Sequence, residues 1–360
     1  PPPGQRLAIR RSGVGMTSRS ADNLYWLGRY VDRMDGLVRL LRHIADRFSD
    51  GPSANEETHT VILSLLIKLG FLPEDTRAET LCVESHLNHP LVLDLIHNLQ
   101  NPLGLAGSAK RIIEIGSNVR DRISPDTWRH LWNLYRDLTL DNNDAMGIAS
   151  DRVQFSNILM HIDAFNGSAY ENMTREPGWH FVTLGRRLER ALNMLCIING
   201  TMVFNMRCGT NLLSALLDIA DSTITYRSRY KGTTDPAAVL DLVLTDSTNP
   251  RGVMFQVDRI WDHLQALPPR SSAPDLLPEY RRIRAIMSRI ALADVHELCT
   301  PSKAGHLDKL HELITILTDD LVELSNDLTT AYLSHTQPFV HQASIGVGGI
   351  FSDFALRRNG

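Results

Sequence analysis

Two arginines and an acid recur in a fixed helical phrase. Leu27-Gly28-Arg29-Tyr30-Val31-Asp32-Arg33 returns 157 residues later as Leu184-Gly185-Arg186-Arg187-Leu188-Glu189-Arg190, keeping the glycine, both flanking arginines and the acid. A guanidinium is a planar fork of N–H donors suited to carboxylate or phosphate. An acid one turn away can orient it or take a proton from an incoming amine. Arg29, Arg33, Arg186 and Arg190 are therefore candidates to bind an anionic substrate or intermediate, with Asp32 and Glu189 as the candidate catalytic groups. The competing reading is structural. The same residues could be an ion-pair network pinning two halves together, or a solvated flank carrying an Arg29–Asp32 pair worth a few tenths of a kcal/mol. Gly28 and Gly185 each cost a helix about 0.5–1 kcal/mol relative to alanine, which close approach of a backbone or ligand would explain.

A second phrase, Asn101-Pro102-Leu103-Gly104, returns as Asn249-Pro250-Arg251-Gly252 at an offset of 148. Asn as N-cap followed by Pro is a general way to begin a helix. As chemistry, the two phrases would be anion-facing helix N-termini, with Asn101 and Asn249 at their mouths and Arg251 adding a charge in the second copy only. Two repeats in register point to duplication.

The elements that must carry these groups are helices. Leu24, Leu27, Val31, Met34, Val38, Leu41, Ala45 and Phe48 recur at spacings of three and four, which predicts a long helix over 20–48. Further helices are predicted from Asn55 to Gly70, after the Ser124-Pro125-Asp126 start signal, over 151–173, 178–207 and 211–230, from Pro250 to Leu267, and over 279–293 and 306–333. Strand signals are almost absent. The fold class expected is all-α, an internally duplicated helical bundle. A tail over 1–15 precedes repeat halves at 16–165 and 166–335, with the boundary near Asn166-Gly167, and a glycine-containing apolar tail follows at 336–360.

Composition narrows the function. Hydrophobic content of 43% and charged content of 22% describe an ordinary globular chain, and a net charge of −4 argues against nucleic-acid affinity. No apolar stretch is long enough to span a membrane. Four cysteines without C-x-x-C spacing read as reduced core residues of a cytoplasmic protein. Three acid-x-x-His pairs (Glu56/His59, Asp94/His97, Asp308/His311) stand against about 1.6 expected by chance, so no metal site is expected, and His86 and His89 read as surface or cap residues. Phosphate-loop, dinucleotide and nucleophile-elbow motifs are missing. Arginine supplies 32 of the 37 basic residues, a bias that fits planar anion recognition or a GC-rich genome equally.

The opening Ser18-Arg19-Ser20-Ala21-Asp22-Asn23-Leu24-Tyr25-Trp26-Leu27-Gly28-Arg29-Tyr30, with Met16 before it, resembles the start of bacterial Alpha-E proteins, an α-helical domain with a Glu-Arg motif. The likeness runs from Met16 to about Leu333. It continues through Asn101-Pro102, Ile123-Ser124 with Trp128, Gly178-Trp179, the phrase ending Glu189-Arg190-Ala191, the run at 226–230 and Pro250-Arg251. Two departures stand out: Asp32-Arg33 replaces the first Glu-Arg, and Glu114 lies between Ile113 and Ile115 where Arg-Glu-Asn is expected. The resemblance implies a cytoplasmic protein that accompanies, or is fused to, a circularly permuted ATP-grasp ligase. Such a system would synthesise or modify small peptides from peptide or amino-acid substrates. ATP and Mg would enter through the partner ligase, with no cofactor bound by this chain. In that setting Tyr25, inside the opening phrase, joins the candidate binding residues. The alternative is a non-catalytic helical scaffold that docks on the ligase.

Overall fold

The computed structural model describes residues 16–49, 56–78, 89–139, 148–203, 209–232, 234–268 and 270–333. The tails expected at 1–15 and 336–360, and Cys82, His86 and Cys208, lie outside them. Among the described residues there are fourteen α-helices and no strand.

Two of these helices form the centre. α1 (Ser18–Ser49) is covered on nearly every side: Leu24, Leu27, Val31, Leu37, Leu40 and Leu41 are sealed from solvent, and so are the charged Arg29, Asp32 and Asp35. It crosses α7 (Pro177–Ile198), whose stretch from His180 to Gly185 is buried without a break. Each central helix carries its own neighbours. α4 (Leu105–Ser117) and α6 (Ile148–Asn172) pack on α1, with α5 (Pro125–Thr139) bridging α4 and α6. α11 (Val253–Ala266) and α14 (Asp308–Leu328) pack on α7, with α12 (Pro278–Ala291) bridging that pair in the same way. In these contacts α4, α5 and α6 stand to α1 as α11, α12 and α14 stand to α7. Smaller helices fill the edges: α2 (Glu56–Lys68), α3 (Pro90–His97), α8 (Gly209–Ile219), α9 (Thr223–Arg229), α10 (Pro236–Leu240) and α13 (Val295–Leu298). α7, α10 and α14 each end in a wider π-type turn.

Several sequence expectations are corrected. The single helix predicted over 211–230 is two, α8 and α9. Ala220 closes α8, and Asp221 takes a left-handed conformation (φ 51°) while the Ser222 N–H donates back to the Leu217 carbonyl, an ending common to helix C-termini. The Asn-Pro pairs do not start helices. In both copies Gly104 or Gly252 is the N-cap, and the asparagine side chain instead accepts from the N–H two residues on, at Leu103 or Arg251. Proline therefore sits in a turn ahead of the helix. The flank of α1 carrying Arg29, Asp32 and Arg33 is not solvated, because α7 covers it.

Candidate functional site

The site begins with two glycines. A Cβ on Gly28 would lie 3.0 Å from the Val182 carbonyl carbon and 3.1 Å from the Arg186 nitrogen, and closer still to the Val182 oxygen. A Cβ on Gly185 would meet Tyr25 and Arg29 in the same way, at the same distances. The repeated phrases therefore face each other across a helix crossing that only glycine allows. Because each arginine and acid follows its glycine by the same number of residues, the crossing exchanges them between helices.

Glu189 of α7 is held by α1. Arg33 donates to it from Nε at 2.6 Å and from Nη2 at 3.2 Å, and Arg29 Nε donates to the same carboxylate. In return, Asp32 of α1 accepts from Arg190 Nε at 3.0 Å and Nη2 at 2.7 Å. All of these groups are buried or nearly so, Arg29 to 1% exposure. Burial works against the Glu189 carboxylate, yet Arg29 and Arg33 hold it down at about 2. Burial likewise opposes the Arg29 charge, and Glu189 and Tyr25 more than restore it. The Tyr25 hydroxyl meets Ser325 at 2.8 Å and accepts from Arg29 Nη1 at 3.1 Å.

The Asp32 side is more heavily charged. One turn along α1, Asp35 accepts from Arg39 Nε at 3.0 Å and from Arg251 Nη1 at 2.7 Å. Burial raises the Asp35 pKa, but Arg251, Arg39 and Arg190 pull it well below the carboxylate range. Arg39 also reaches the exposed Asp221 at 3.2 Å. Two arginines are left over. Arg186 Nε stands 3.7 Å from an Asp32 that Arg190 already grips, and it has no hydrogen-bond partner. Arg187 gives Nη1 to the neutral Gln256 oxygen at 3.1 Å and stacks on Phe255, while its buried Nε is also unmet. Burial lowers the Arg186 pKa to about 10, against the pull of Asp32 and Asp35, which repulsion from Arg190 and Arg251 partly offsets. Burial, Arg186 and Arg190 take Arg187 to about 9. Guanidinium groups this costly to keep charged are normally paired. Here Asp32, Asp35 and Glu189 already accept hydrogen bonds from other arginines.

Beside Arg187 two histidines meet. His180 Nδ1 and His263 Nδ1 are 2.9 Å apart, so one donates and the other accepts a single shared proton. Trp179 edges onto both rings. Burial, His180, Arg187 and Arg259 push His263 down to about 3, and burial lowers His180 as well.

The fold thus brings together Arg29, Arg33, Asp32, Arg186, Glu189, Arg190 and Arg251. Asn249 lies within the second arm, donating to the Leu242 carbonyl at 2.8 Å and to Ser222, and its role is to hold the turn that delivers Arg251. The hydrogen bonds of Asn101 stay local, to Asp94 of α3 and the Leu103 N–H. Asp35, Arg39, Arg187 and Gln256 were not apparent from sequence. The available signal was the difference between copies, since Arg187 replaces Tyr30 and Arg251 replaces Leu103. Among the described residues no three of His, Cys, Asp and Glu gather into a group able to hold a metal, and no described helix is long and apolar enough to cross a membrane. Cys196 and Cys299 are free thiols whose burial raises both to about 12.

Residues 16–333 match the model of Alpha-E, described as a predicted alpha-helical domain with a conserved ER motif. The chain is 27% identical over 333 residues to an uncharacterized protein of Mycobacterium tuberculosis strain H37Rv, and equally to one of Mycobacterium bovis. The match takes in 88% of this chain and 37% of each relative, so the chain spans little more than a third of the curated relatives it matches. No solved structure matches it.

Proposed function

We propose that this chain, which belongs to the Alpha-E family, is the anion-binding helical component of an ATP-dependent amide-ligase system acting on small peptides or amino acids. The observation that carries the anion-binding part is the surplus of buried arginine. Arg186 and Arg187 keep unmet donors inside the protein while Asp32, Asp35 and Glu189 are already held. In this reading the four phrase residues Arg29, Arg33, Asp32 and Glu189, with Arg190, lock α1 to α7, and Arg186, Arg187 and Arg251 receive the ligand. Asp32 and Glu189 then act by positioning arginines. The low affinity of Glu189 for protons follows from Arg29 and Arg33 and suits that role better than general-base work at neutral pH. The two matching arms, with their reciprocal glycine contacts and identically folded Asn-Pro-x-Gly turns, support descent from a duplicated helical unit.

The ligase half of the proposal rests on the family resemblance. The greater length of the mycobacterial relatives leaves room for a further domain beside the matching region. The test is reconstitution of the protein with a circularly permuted ATP-grasp ligase of the same genome, ATP, Mg and mixed amino acids, with products read by mass spectrometry. Amide products that need the chain, and that vanish with Arg187→Ala while the fold persists, are expected. Product formation by the ligase alone, or unchanged yield with Arg187→Ala, overturns the reading in favour of a docking scaffold.

A further inference from the structure

α6 is apolar on two faces, and the described chain covers only one of them. Phe155, Ile158, Ile162 and Phe165 are buried against the bundle, while Val153 and Met160 on the opposite face are 62% and 59% exposed. Asn157, Ala164 and Gly167 complete the outer stripe, at successive steps of four, three, four and three residues from Val153, the repeat that lets one helix lie along another. Glycine weakens a helix interior. At Gly28 and Gly185 a facing helix explains the residue, whereas no described atom comes within 4 Å of a Cβ placed on Gly167. Between Arg152 and Glu171 only Asp163 carries a formal charge, and it stands at the edge of the stripe, where its field reaches Arg39 and Arg190.

We propose that this face of α6 binds the same face of a second copy of the chain, antiparallel, about a twofold axis at Met160. A twofold contact uses one patch twice, so the patch must complement itself. Val153 and Gly167 lie seven residues to either side of Met160, which sets each branched side chain on the bare glycine of the other copy. Asn157 and Asp163 lie three residues to either side, so amide and carboxylate come level. The charges agree with the same pairing. Arg152 precedes Met160 by eight residues and Glu171 follows it by eleven, an axial mismatch of three residues or about 4.5 Å that two long side chains span, at both ends of the pair. A parallel pair would instead set Arg152 on Arg152, Asp163 on Asp163 and Glu171 on Glu171. Arg152 meets the half-exposed Asp46 at 2.7 Å within its own chain, a surface pair that costs little to exchange. The stripe is about 21 Å long. One helix pair of that length buries less than the roughly 800 Å² per partner of a standard interface, so the dimer is reversible and forms at micromolar concentrations.

The experiment is sedimentation equilibrium of the full chain over a micromolar concentration series, with far-UV circular dichroism confirming that each variant is folded. A reversible monomer–dimer equilibrium is expected. Met160→Lys places two ammonium groups across the axis and should weaken the dimer at least tenfold. Arg152→Glu and Glu171→Arg should each weaken it at least threefold, and the two together should return it to within about twofold of the parent, because every end contact is again opposite in sign. Arg129→Ala, at an exposed pair on α5, should leave it unchanged. A chain that stays monomeric throughout, or a dimer unmoved by Met160→Lys, would overturn the proposal. A double charge swap no better than either single variant would overturn the antiparallel pairing. A monomer that instead binds the ATP-grasp ligase, and loses that binding with Met160→Lys, would give the face to the ligase and overturn the self-pairing.

Discussion

Replacing Gly28 with alanine should separate the two central helices. The new methyl carbon would meet the backbone of Val182 and Arg186 at 3.0 and 3.1 Å, with the Val182 oxygen nearer still. These atoms belong to α7 itself, so no side chain can swing aside and the helices must part, by on the order of an ångström. Alanine returns about 0.5–1 kcal/mol of helix propensity. Overpacking a tight core typically costs about 1–3 kcal/mol, and a rigid backbone contact lies at the upper end. The same movement stretches the Arg33–Glu189 and Arg190–Asp32 bonds, now 2.6 and 2.7 Å. A net loss of about 2 kcal/mol or more is expected from urea unfolding followed by far-UV circular dichroism. Gly185→Ala should cost the same, because its contacts mirror those of Gly28. The double variant should cost less than the two combined, since the first separation makes room for the second methyl. Gly167→Ala is the control. It lies in α6 with nothing within 4 Å of its would-be Cβ, so it should raise stability by up to about 1 kcal/mol. A Gly28→Ala protein as stable as the parent would refute the close crossing.

Other predictions follow from the same network. Arg33→Ala removes two charged hydrogen bonds but leaves Glu189 paired with Arg29, and loss of about 1.5–3 kcal/mol is expected by the same assay. Lowering the pH also tests the site through His263, whose pKa falls from 6.5 unfolded to about 3 folded. The unfolded chain then binds the extra proton, so stability is full above about pH 6.5 and declines by about 1.4 kcal/mol per pH unit below it. His263→Phe should flatten the slope between pH 6.5 and 5. Glu189 adds its own decline only below about pH 4.5, as protons reach a carboxylate held at about 2. Gln256→Leu removes the group that Arg187 touches together with its bonds to the Pro250 and Gly252 carbonyls, and a loss of about 1–3 kcal/mol is expected by the same assay.

The helices were readable because long runs such as Leu24 to Ala45 fix their period whatever surrounds them. What they pack against was not. An amphipathic stripe on α1 suggested a dry face and a wet face, but α7 covers the supposed wet face, and nothing local in Arg29 or Asp32 reports a partner some 160 residues away. The two glycines carried the one clue to a close approach. The break at Asp221 was hidden because an αL aspartate ends a helix without glycine or proline. The Asn-Pro pairs misled for the opposite reason, since the same residues that begin helices also build the turns before them. In the site, Arg29, Arg33, Arg186 and Arg190 stood out by repetition. Arg187 and Asp35 have no counterpart in the other copy, and repetition could not mark them.

The central claim is that Arg187 is a surplus buried charge while its neighbour Arg190 is a paired one, and unfolding of Arg187→Met and Arg190→Met side by side tests it most directly. Arg187 held at about 9 instead of 12.5 corresponds to a charging penalty on the order of 5 kcal/mol at neutral pH. Its stem packing and the Gln256 bond offset part of this. Arg187→Met should therefore match the parent or exceed it by about 1–3 kcal/mol, whereas Arg190→Met should lose about 1.5–3 kcal/mol, since it removes two charged hydrogen bonds and leaves Asp32 with Arg186 at 3.7 Å. Equal, large losses in both variants would contradict the account, because Arg187 would then be one more lock between the helices and no charge would be left over for a ligand.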